Sequence, residues 1–138
     1  MLNFVSIIIT SLVGTVSFIV LDYLWLSKIA KEFYLGNLRD HVTVENGSLV
    51  PYFPAIPLVY IVAIIGIWLF VLPKATHLSG ALLWGALFGF LMYAFYDFTN
   101  LATLKDYPWT LTIADILWGT IVMAVISLIM FWVNSLIS

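Results

Sequence analysis

Three aspartates stand inside otherwise apolar runs of this chain: Asp22 in "VLDYLWLS", Asp97 in "YAFYDFTN" and Asp115 in "IADILWGT". A carboxyl group in such a setting has three uses. Ionised, it holds a cation or the cationic part of a ligand; protonated, it carries a proton; hydrogen-bonded, it ties helices together. A charge turned toward lipid costs about 2.5 to 3.5 kcal/mol on insertion scales, so each carboxyl is expected to face protein. Neighbours at helical spacing agree. Ser11, Thr15, Phe18 and Asp22 fall on one stripe, Tyr93, Asp97 and Asn100 on a second, and Thr112, Asp115, Trp118 and Gly119 on a third. The candidate site is therefore Asp22, Asp97, Asn100 and Asp115, supported by Trp25, Tyr93, Tyr96, Thr99, Thr112 and Trp118. Its aromatic members suit an apolar wall or a cation–π contact. Belting at the membrane interface is the plainer role, above all for Trp109.

The elements that must position these residues follow from composition. With 64% hydrophobic and 9% charged residues and a mean hydropathy of +1.13, the chain lies far outside the soluble range and reads as an integral membrane protein. Its 138 residues leave room for about four helical spans of roughly 20 residues. The expected fold is all-α, a four-helix bundle forming one domain over residues 1–138, with spans near 4–27, 55–72, 81–103 and 109–136. The first apolar run passes Val20 without a basic leader or an Ala-x-Ala cleavage site, so it is expected to be retained. A net charge of -2 with five Lys and Arg offers no surface for nucleic acid. The absence of cysteine removes disulfides and thiolate chemistry.

Between the first two spans, "KIAKEFYLGNLRDH" (28–41) predicts a short amphipathic helix in the interface, with Ile29 and Phe33 as its apolar side. Asn46-Gly47, flanked by Val42, Val44 and Val50, suits a small hairpin before Pro51, Pro54 and Pro57 stiffen the approach to span two. Span two holds no ionisable group except Tyr60, which predicts a packing role. Gly85, Ala86 and Gly89 give span three a small-residue face. Lys28, Lys31, Arg39 and Lys105 fall in the first and third loops and Lys74 alone in the second, a bias that places the first and third loops in the cytoplasm. All three aspartates then approach that leaflet, about 7 to 10 Å below their helix ends at 1.5 Å per residue. The chain twice writes Asp-x-Leu-Trp, at Asp22–Trp25 and Asp115–Trp118. A transporter's inverted repeats would send the copies to opposite leaflets, so the echo is expected to be local.

The run "YDFTNLATLKDYPWTLTIADILWG", with "LDYLWL" and "GNLRDH", resembles a family of small bacterial four-span membrane proteins catalogued as a domain of unknown function. The similarity covers nearly the whole chain and is most specific over Tyr96–Leu104 and Trp109–Gly119. It implies a bacterial inner-membrane location and a single domain, and brings no activity with it.

Several chemistries can be weighed against the residues. Metal-dependent membrane oxygenases need many histidines, whereas His41 and His77 lie in opposite loops. Oxygen ligands from Asp22, Asp97, Asn100 and Asp115 would suit Mg²⁺ or Ca²⁺, although the spacing does not demand a metal. Tyr96-Asp97 and Asp115 resemble the pairing of intramembrane aspartyl proteases. The Gly-x-Gly-Asp expected at the second aspartate of such enzymes reads Thr112-Ile113-Ala114-Asp115 here. Two function classes survive. One is a protein of the lipid bilayer that binds or transports a cation, protons or a small amphipathic ligand. The other is an enzyme acting on a lipid or amphipathic substrate, with one aspartate as general acid and another ionised. Binding is the favoured reading, because no placed nucleophile or electrophile is evident. Four spans are few for an aqueous path, so a homodimer through the Gly85/Gly89 face or span two is a corollary expectation. Aspartates serving only as interhelical glue are the remaining alternative.

Overall fold

The computed structural model describes residues 3–38 and 40–138. Among them, four helices are long and apolar enough to cross a membrane: Phe4–Ile29, Phe53–Lys74, Leu78–Thr103 and Trp109–Ile137. The architecture is the all-α membrane bundle that composition demands, and its boundaries lie within a few residues of those expected. Helix α1 (Phe4–Leu24) is capped by Asn3, whose Oδ1 accepts from the Ser6 amide at 2.6 Å. It loosens into a π-helical turn over Trp25–Ile29 and ends at Ala30.

The interfacial segment, α2 (Lys31–Leu38), forms where the charged residues predict it, but a different face turns inward. Ile29 and Phe33 are exposed, whereas Ala30 and Tyr34 are buried with Tyr107 and Leu111, and Leu38 packs beside them. A polar-tipped tyrosine therefore occupies the core side. The exposed apolar pair is left for the bilayer interface, where amphipathic helices place such groups. The hairpin β1 (Val44–Glu45) and β2 (Ser48–Leu49) pairs antiparallel across Asn46-Gly47. Both turn residues have positive φ, 50° and 71°, as a tight two-residue hairpin turn requires.

Span two begins as a 3₁₀ turn, Phe53–Ala55, continues as α3 (Ile56–Gly66), and passes through a π turn to a 3₁₀ close at Leu72–Lys74. Its first half leans on α1, and its last turns lean on α4 (Leu78–Thr103). Span two meets α4 at Gly66, where a Cβ would collide with the Phe88 ring. Trp68 Nε1 donates to Ser11 Oγ at 2.9 Å and ties the span to α1.

The most extensive pairing joins α4 and α5 (Trp109–Ile137). Gly85 meets Ser127, Gly89 meets the Gly119 backbone and Met123, and Gly119 carries the Tyr93 ring, all too close to admit a Cβ. The small-residue face of span three is thus spent inside the chain against α5 and is not free to form a dimer contact. Helix α1 presents the seam Ser6, Thr10, Gly14 and Phe18, with Ser11 and Thr15 half-buried beside it. The apolar core is Phe18, Ala63, Ile64, Ile67, Val71, Val122, Met123, Ile126 and Met130. Apolar side chains such as Phe4, Leu12, Leu69, Leu83 and Phe95 point outward, as lipid-facing surface does.

Candidate functional site

Antiparallel packing of α4 on α5 brings Asp97 and Asp115 together. Each lies six residues from the end of its helix at the same membrane face, about 9 Å deep at 1.5 Å per residue. The two carboxyls are neighbours across the α4–α5 contact. A carboxylate is an acceptor only, so a hydrogen bond between them would require one proton. Asp97 is fully buried (0% exposed). Its Oδ1 accepts from Tyr107 OH at 3.1 Å, while its Oδ2 has no hydrogen-bond partner. Asp115 accepts a hydrogen bond from Tyr34 OH.

Asp22 stands apart from this pair and is fully partnered. It accepts from Tyr60 OH at 3.2 Å and from Trp118 Nε1 at 3.0 Å. The two Asp-x-Leu-Trp copies therefore interlock. Trp118 of one copy donates to Asp22 of the other, and Trp25 and Trp118 stack face to face, with centroids 4.5 Å apart and planes 2° apart. Tyr34 links the two copies as well: Trp25 Nε1 donates to Tyr34 OH at 3.2 Å, and that hydroxyl donates on to Asp115. The echo is a local pairing of two helices at one depth. Tyr93 lies against Gly119 of α5.

Tyr34 and Tyr107 close the pair from the water side, in a cluster with Ala30 and Leu111 in which every member is at most 8% exposed. Burial first, and then the neighbouring Asp115 carboxyl, pushes the Tyr34 hydroxyl well above the ordinary phenol range. Burial also raises Tyr107, with Asp97 adding to it against a hydrogen bond from Asn100. Both phenols thus remain protonated donors through the physiological range.

The lateral side is open. A groove of about 540 Å³ lies between α3 and α4 where the two diverge below Gly66. Phe18, Val62, Met92 and Met123 line it, and Asp115 is the one charged side chain in its wall. Val59, Val62 and Tyr96 on its rim are more than half exposed, which makes this a cleft facing lipid rather than a sealed cavity.

Of the residues expected at the site, the three aspartates, Trp25, Tyr93, Trp118 and Asn100 gather at this end. Others do not join. Thr99 is exposed and bonds its own helix at Phe95 O. Thr112 is buried, but its hydroxyl returns to Pro108 O at 3.4 Å. Tyr96 sits on the groove rim instead of the cluster. A threonine satisfies itself on the preceding turn, whereas a carboxylate must find donors elsewhere. Among the described residues, no three His, Asp or Glu side chains gather closely enough to hold a metal ion. The aspartates form a pair and a single, not one oxygen cage. The donors Tyr34 and Tyr107 are not singled out by the sequence, and Tyr60 is read there only as part of a packing span. Tyr34 lies among the charged residues of an amphipathic stretch, and Tyr60 is the lone ionisable group of span two; only the second gave a usable signal.

The fold and this buried acidic cluster define an integral membrane protein, a four-helix bundle with a polar center at one end. The chain belongs to the family whose model is described as "Predicted membrane protein (DUF2177)", which matches residues 7–132. No curated protein and no solved structure matches the chain.

Proposed function

We propose that this protein binds a positively charged ligand inside the membrane, with Asp97 and Asp115 as the anionic seat and a proton filling that seat when the ligand is absent. The observation that carries the reading is the free oxygen of Asp97. It is an acceptor with no accessible surface and no donor, beside a second carboxyl, in a chain whose other aspartate in this region is fully satisfied. Glue would use both oxygens, because an unpaired polar atom away from water costs free energy and an interhelical hydrogen bond in a membrane returns on average only about 0.6 kcal/mol. Among the described residues no Lys, Arg or His acts on any of the three carboxyls. The lysine and arginine bias of the loops supports placing this seat at the cytoplasmic leaflet of a bacterial inner membrane.

Infrared difference spectroscopy on the purified protein tests the seat. A protonated-carboxyl C=O band is expected in the wild type and in Asp22→Asn, and it should vanish in both Asp97→Asn and Asp115→Asn. A band that survives in the last two variants contradicts the shared proton.

A further inference from the structure

The groove, taken with the reading of Asp97 and Asp115 as a seat for positive charge, narrows the class of ligand. We propose that the ligand is a single-chain amphiphile with a protonated primary amine head, which enters sideways from the bilayer between α3 and α4 and sets its ammonium on Asp115.

The head group follows from charge and donors. Asp115 is the charged group of the groove wall, and the buried Asp97 is its neighbour. Among the described residues no Lys, Arg or His perturbs either carboxyl, so a phosphate or carboxylate head would meet like charge with nothing to balance it. Asp115 and Asp97 are acceptors, and one oxygen of Asp97 lacks a donor. An ammonium brings three N–H donors, while a quaternary head brings none.

The tail follows from the groove. Its volume of about 540 Å³ falls within the roughly 300 to 1,000 Å³ of small-molecule sites. From Asp115 to Met123 it follows α5 for about 12 Å toward the middle of the membrane, at 1.5 Å per residue. Phe18, Val62 and Met92 make its walls apolar. The route follows from what is closed: Tyr34, Tyr107 and Leu111 seal the water side, whereas Val59, Val62 and Tyr96 leave the lipid side open.

The test uses the full-length protein in a nonionic detergent, with melting temperature followed against added dodecylamine, dodecyltrimethylammonium, dodecanoate and butylamine. Dodecylamine should raise the melting temperature in a saturable way, dodecyltrimethylammonium less, and dodecanoate and butylamine not at all. Asp115→Asn should weaken the dodecylamine effect by roughly 10- to 100-fold, the worth of a charge-assisted hydrogen bond. Val62→Trp, at a position 60% exposed and therefore tolerant of size, should fill the groove and abolish the effect while keeping the carboxyl infrared band. Equal stabilisation by dodecylamine and dodecanoate, or an unchanged response in Val62→Trp, overturns the proposal. Stabilisation by butylamine equal to that by dodecylamine, lost in Asp115→Asn, removes the groove and leaves the seat. If dodecylamine gives no stabilisation the proposal falls, and the presence or absence of the infrared band then shows whether the seat falls with it.

Discussion

In the half of the bundle away from the aspartates, the buried polar groups are small and neutral: Ser6, Thr10 and Ser127, packed near Gly14 and Gly85. Ser6 bonds to Asn3, and the hydroxyls of Thr10 and Ser127 have no partner. At the other end, beside the self-satisfied Thr112, stand carboxyls, and α2, α3, α5 and the 104–108 loop each send a tyrosine or tryptophan to them. The contrast teaches what each group demands. A hydroxyl packs as a small side chain at modest cost, but a carboxyl needs external donors and so organises the tertiary structure around itself. Within the second end, Asp22 has a full complement of donors and Asp97 does not. That inequality is the ground of the proposed function.

The largest expected effect lies where the two halves join. Gly119→Val would drive a methyl group into the Tyr93 ring, and overpacking of this kind costs about 3 kcal/mol. Chemical denaturation in mixed micelles should show it as the most destabilised of the variants considered. A near-wild-type curve would mean that α4 and α5 can move apart, and with them Asp97 and Asp115.

Asp22→Ala strands the Trp118 N–H and the Tyr60 hydroxyl, and a loss of about 1 to 2 kcal/mol is expected in the same assay. Tyr34→Phe should cost about 1 kcal/mol by removing the donor to Asp115 and the acceptor for Trp25. Tyr34 and Tyr107 hold their protons more tightly folded than unfolded. Their contribution is therefore complete below about pH 10, the phenol's unfolded value, and is lost as pH rises above it. Alkaline titration of wild type against Tyr34→Phe should show the shallower decline in the variant. At the hydroxyl end, Thr10→Val should stay within about 0.5 kcal/mol of wild type, since no hydrogen bond is removed. A loss well above that would erase the distinction between the two ends.

Much of this was readable from the chain. Long apolar runs fix the spans because a bilayer accepts only helices whose backbone bonds are internal. The cost of a lipid-facing charge places all three aspartates inside. What was not readable was pairing across helices. Asp22, Asp97 and Asp115 look alike as sequence, and only the register of α4 on α5, set by Gly85, Gly89 and Gly119, couples two of them and leaves the third to Trp118. The choice of Ala30 and Tyr34 over Ile29 and Phe33 as the inward face of α2 was hidden for a related reason. An interfacial helix has apolar surroundings on two sides, so hydrophobicity alone does not say which side is the core. Thr99 and Thr112 misled because helical spacing reports direction and not whether a hydroxyl turns back on its own helix.

The most direct measurement of the central claim is the thermal stability of Asp97→Asn. An asparagine there keeps one oxygen for Tyr107 and supplies, in place of the unpartnered Oδ2, an N–H₂ able to donate to Asp115. If Asp97 is held for binding at the expense of stability, as functional residues commonly are, the variant should melt at or above the wild-type temperature. A loss as large as that of Asp22→Ala would show that both oxygens of Asp97 are structural acceptors, and the seat for positive charge would be contradicted.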